Sequence, residues 1–84
     1  TVPLLEHNET EDLLAVELKS GKADFKVFGQ ISMYLGLLQQ KFPNKAITGV
    51  IVAGAIDETL KYACLTNDKI TLKIYRMSLE FEDV

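Results

Sequence analysis

This 84-residue chain predicts an α/β fold, a central mixed β-sheet flanked by helices in the order β-β-α-β-α-β(-β). Three observations carry that expectation. Two apolar runs near the N-terminus are joined by a polar turn, two segments repeat apolar residues at steps of three and four, and β-branched runs follow each helical segment. Strands joined by a tight turn pair antiparallel, whereas strand, helix, strand implies a right-handed crossover between parallel strands. The sheet is therefore mixed.

The elements follow in order. Val2 to Leu5 is a short apolar stretch, His7-Asn8-Glu9-Thr10-Glu11 a polar turn, and Asp12 to Ser20 a strand ended by Gly21. Leu14, Val16 and Leu18 share one face of that strand; Leu13, Ala15, Glu17 and Lys19 share the other. Asp24 can cap a helix of about four or five turns in which Phe28, Ile31, Leu35, Leu38 and Phe42 form the apolar stripe, with Val27 beside it, before Pro43-Asn44 stops it. Ala46 to Ala53 is apolar almost without break, as expected of an inner strand covered on both faces. Gly54-Ala55-Ile56 reads as a loop, Asp57 as the cap of a shorter helix to Leu65 with Leu60, Ala63 and Cys64 inward, and Ile70 to Tyr75 as a strand. Leu79 to Glu82 alternates as a last strand would.

No repeat, linker or low-complexity segment interrupts this order, so residues 1–84 are expected to form one domain. A chain this short buries only about 60% of its unfolded surface, and support from a homo-oligomer or from an N-terminal flank is expected. With 48% apolar and 25% charged residues the composition is that of a folded globular protein. No apolar run approaches the roughly 20 residues that span a bilayer, and the start lacks a signal-peptide layout, so no membrane is expected and a cytoplasmic location is. Cys64 is the single cysteine and His7 the single histidine. That excludes an internal disulfide and a Cys/His zinc cage, and leaves oxygen ligands for any metal. The net charge of −3 argues against a broad phosphate-gripping surface, but Lys19, Lys22 and Lys26 cluster beside Glu17.

Glu17 and Lys19 protrude from an otherwise apolar strand, where opposite charges need a metal, a substrate or each other. On the following helix Gln30 and Tyr34 stand four residues apart on one face. A helix packed back across the strand points Gln30 at the end that carries Glu17 and Lys19.

At this point the chain resembles the PD-(D/E)XK (restriction-endonuclease-like) nuclease superfamily. Val16-Glu17-Leu18-Lys19 followed by Gln30-Ile31-Ser32-Met33-Tyr34 is most similar to RecB-type and NucS-type nuclease domains, and Gly49-Val50-Ile51-Val52-Ala53 is compatible with the NucS-type pattern. The resemblance implies a Mg²⁺- or Mn²⁺-dependent endo- or exodeoxyribonuclease acting on nucleic acid, with DNA as the expected partner. It implies Glu17 and the backbone carbonyl of Leu18 as metal ligands, Lys19 orienting the attacking water or stabilising developing charge, and Gln30 and Tyr34 positioning the site or the nucleic-acid backbone. Hard oxygen ligands suit such an ion, which lowers the pKa of bound water. Lys22 and Lys26 are candidates for phosphate contacts.

The family's other ligand is an Asp on the preceding strand, about a dozen residues before the Glu. Here that stretch is Val2-Pro3-Leu4-Leu5, with no acid; Glu6 is the candidate substitute, and Asp12 shares the face of Leu14. The family core also begins with a helix ahead of the hairpin, so truncation at the N-terminus is expected. Two other readings stand beside the nuclease: an inactive nuclease-derived module that binds nucleic acid or protein, and a structural α/β subunit in which Glu17 and Lys19 merely pair. His7 reads as a bystander and Cys64 as a small core residue.

Overall fold

The computed structural model describes the backbone of residues 3–7 and the whole of residues 12–76. Strand β1 (Pro3–His7) is followed by β2 (Leu13–Ala23), helix α1 (Phe25–Lys41), β3 (Ile47–Ile56), α2 (Glu58–Leu65) and β4 (Ile70–Ile74). They form one sheet in the spatial order β1-β2-β3-β4, with β1 antiparallel to β2 and the other two pairs parallel. The fold is the mixed α/β arrangement that the order of elements predicts. The strand expected at 79–82 lies outside the described residues.

Helix boundaries follow their capping chemistry. The Asp24 side chain accepts from the Lys26 backbone N–H at 3.0 Å, satisfying one of the donors that open α1, and that of Asp57 does the same for Thr59 at 3.1 Å in α2. At the far end of α1 the Phe42 N–H reaches the Leu38 carbonyl at 2.8 Å. There Gln39 Nε2 donates to the carbonyls of Phe42 and Lys45, fixing the turn into β3.

The core lies between the helices and one face of the sheet. Leu13, Ala15, Ile47, Ile51 and Ala53 from the sheet pack with Val27, Ile31, Leu35 and Leu38 of α1 and Leu60 of α2. Val27, expected beside the stripe, is fully part of it, while Phe28 and Phe42 are only partly buried against it. Gly49 sets how closely α1 approaches: a Cβ there would lie 2.9 Å from Ile31 Cδ1 and 3.3 Å from Leu35 Cδ1.

Three expectations about β-structure are corrected. β3 is an inner strand, but among the described residues the helices cover one face only, with Val50 on the other face nonetheless 8% exposed. Two right-handed crossovers run in the same direction from β2 to β3 to β4, so both helices land on the same side and touch each other. On the opposite side Leu14, Val16 and Val52 are half-buried, and Leu18 and Thr48 are exposed. Second, Gly54-Ala55-Ile56 belongs to β3, and His7 to β1, where its backbone register is opposite Leu13. Third, β2 does not stop at Gly21. Lys19 pairs with Ala53 and Lys22 with Ala55, so β2 carries one extra residue there, a β-bulge that bends the strand but lets it run on to Ala23.

Candidate functional site

In-register residues of a pleated sheet share a face, so the pairing defines rows. Glu17 lies in the row Pro3, Glu17, Ile51, Leu72 and Lys19 in the row Lys19, Ala53, Ile74, both on the helix-covered side. Leu18 between them turns its side chain, 47% exposed, to the open face, so only its backbone can belong to the Glu17 side.

Glu17 is 5% exposed, the one buried charged residue among those described. It makes no ion pair with Lys19 within 4.0 Å and no hydrogen bond among the described residues. Taking an ion out of water costs several kcal/mol unless a counter-charge or hydrogen bonds compensate. Among the described residues the geometry therefore departs from a simple Glu17–Lys19 pair.

One row further, β2 meets the start of α1. Lys19, Asp24, Lys26, Val27 and Gln30 line an open cleft of about 330 Å³, so the strand lysine and the helix glutamine do converge. Gln30 is solvent-exposed there; Tyr34, one turn on, is partly buried and packs against the core. Lys22 lies beyond the bulge, where its ammonium reaches Asp57 at 3.6 Å and is largely exposed. Asp24 is a site-lining residue that the sequence marks only as a helix cap. Its place in the cleft follows from the strand-to-helix turn.

No second carboxylate joins Glu17 from the expected places. Directly opposite it on β1 stands Pro3, a residue at home on an edge strand but without an acid. Glu6 is in register with Leu14, three residues down the strand at about 10 Å, and its position belongs to the other face. Asp12 precedes β2, about 17 Å along the strand from Glu17. Among the described residues no group of three or more His, Cys, Asp or Glu is placed to hold a metal ion.

Among the described residues two ionisable groups are shifted, both outside this cluster. Hydrogen bonds from the Thr59 hydroxyl and backbone N–H, with help from Lys22, hold the Asp57 carboxyl below its usual 3.8. Burial pushes the Cys64 thiol up, which makes it a poorer thiolate, in keeping with its place against the core.

A mixed sheet with Glu17 and Lys19 on its helix-covered side, beside a helix that carries Gln30, defines a small α/β domain with polar side chains gathered at one strand end. Residues 1–78 match the family described as the Endonuclease NucS C-terminal domain, and the chain belongs to that family. Solved structures share its fold. A repair endonuclease from Pyrococcus abyssi superposes with a TM-score of 0.73 at 20% identity, over 84% of this chain and 30% of that one. A complex of EndoMS with double-stranded DNA gives 0.72 at 17% identity, over 90% and 31%, and EndoMS in its apo form 0.69 at 22% identity, over 84% and 34%. The chain thus spans about a third of the length of these structures. No curated protein matches it.

Proposed function

We propose that this chain is the catalytic part of a divalent-metal-dependent DNA nuclease of the PD-(D/E)XK type. The observation that carries the reading is Glu17, 5% exposed and with no ion pair among the described residues, on the same face as Lys19. A carboxylate on the strand fits a hard cation, and Mg²⁺ in particular keeps several waters and is held by as few as one or two carboxylates together with substrate phosphates. Glu17 and the Leu18 carbonyl are the protein ligands in this reading. A bound Mg²⁺ or Mn²⁺ supplies Lewis acidity at the phosphate and a water of lowered pKa. Lys19 orients the attacking water and offsets the charge that develops on the phosphate, an interaction strongest in the transition state. Gln30 hydrogen-bonds in the same cleft, Lys26 at its rim meets a backbone phosphate, and Lys22 can do so once released from Asp57. Tyr34 holds the Gln30 face of α1 against the core. The complex of a structural neighbour, EndoMS, with double-stranded DNA supports DNA as the partner.

Cleavage of DNA in Mn²⁺, lost in Glu17→Ala while the variant keeps its fold by circular dichroism, is the expected result. Cleavage untouched by Glu17→Ala would sink the reading. One observation favours a second: Pro3 occupies the position opposite Glu17 where a second acid would complete the metal site. On that reading the chain binds DNA without cutting it, and wild type and Glu17→Ala bind a DNA duplex equally with no cleavage in Mn²⁺.

A further inference from the structure

We propose that Tyr75 is a positioning residue for Lys19, acting through the bulge in β2; the inference rests on the role given to Lys19 above. Tyr75 ends the β4 side of the sheet, two strands away from β2. Its backbone N–H donates to the Ala53 carbonyl at 3.0 Å, and Ala53 is the register partner of Lys19. Its hydroxyl donates to the Ser20 carbonyl at 2.6 Å. Ser20 directly follows Lys19 and sits in the bulge, where the extra residue interrupts the ladder and leaves backbone groups in need of partners.

The phenol reaches β2 by passing over β3 at Gly54. A Cβ at that position would lie in van der Waals contact, 3.4 Å from the Tyr75 hydroxyl and 3.4 Å from the Gly21 carbonyl, so a branched side chain at Gly54 would crowd the hydroxyl. Tyr75 is itself 37% exposed and outside the core cluster, which separates the hydroxyl bond from the packing that holds the fold. Lys19 has no carboxylate within ion-pair distance among the described residues to fix its ammonium. Its aim therefore depends on the backbone that carries it, and the peptide that follows that backbone is the one Tyr75 clamps.

The test starts from Tyr75→Phe, which keeps the ring and removes the hydroxyl. By NMR on the metal-free protein, the Lys19 methylene order parameters fall and the Ser20 and Gly21 amides shift, while Lys26 and the melting temperature stay as in wild type. Gly54→Val, with the hydroxyl intact but its route obstructed, loosens Lys19 in the same way. Lys19 signals unchanged in Tyr75→Phe overturn the proposal. In Mn²⁺-dependent DNA cleavage, Tyr75→Phe lowers kcat about 10-fold with KM within about two-fold, as a slight misplacement of a reacting group does. The loss disappears in a Lys19→Met background, and an equal loss there also overturns the proposal. Cleavage insensitive to Glu17→Ala refutes the nuclease reading alone, because the order of Lys19 still decides the role of Tyr75.

Discussion

Glu17 is the one charged residue among those described that is buried, and its effect on stability is measurable. Replacing buried ionic groups with well-packed apolar side chains of similar volume is often neutral or stabilising by about 1–4 kcal/mol. Glu17→Met is expected to unfold later in guanidinium and, for a domain of this size, to melt several degrees higher, by roughly 4–8 °C per kcal/mol. A drop in stability would show that Glu17 holds the fold together. Pro3 makes the complementary prediction. Pro3→Asp places an acid in register with Glu17 and is expected to tighten Mn²⁺ binding about tenfold by calorimetry, since affinity rises with the number of charged ligands. The spacing of Glu17, Lys19 and Gln30 is legible in the sequence because each lies within one element or its immediate successor. The pairing of Glu17 with Pro3 is not, because register depends on how the two strands align across the turn.

Elements that announce their ends chemically are read correctly. Asp24 and Asp57 mark both helix starts, and Asp24→Ala is expected to cost about 1 kcal/mol in urea unfolding with an unchanged slope. The Asp57 carboxyl, held below 3.8, contributes stability that is fully present above that pH and is lost as the pH falls through its lower folded-state value. Thermal melts through the acid range should therefore show a decline that flattens in Asp57→Asn, a comparable cap with no charge to titrate. The β-bulge is the element the sequence conceals. Ser20-Gly21 looks like a strand end, and only pairing with Ala53 and Ala55 carries β2 onward. Gly49 hides in the same way, since its need to be small comes from Ile31 and Leu35 on another element. Gly49→Val is expected to destabilise by about 1–3 kcal/mol.

Among the described residues the core cluster lies on the helix-covered side of the sheet, and substitutions should report it. Leu60, fully buried under α2, is expected to cost about 2–5 kcal/mol when changed to alanine. Leu18→Ala, on the face without helices, should stay within about 0.5 kcal/mol, as surface substitutions do. Equal losses would mean that the second face is covered too. The α/β class and the mixed pairing are legible from the order of elements alone. The one-sidedness is not, because Ile47 to Ala53 alternates apolar residues onto both faces and only the direction of the two crossovers decides which face the helices cover.

Pro3 has a second effect, unrelated to ligand number. On the strand that borders the sheet among the described residues, a proline offers no N–H to a chain arriving alongside, so strand-by-strand growth is discouraged at the very row that holds Glu17. The residue that leaves the carboxylate without a second acid also guards its flank against amyloid-like pairing.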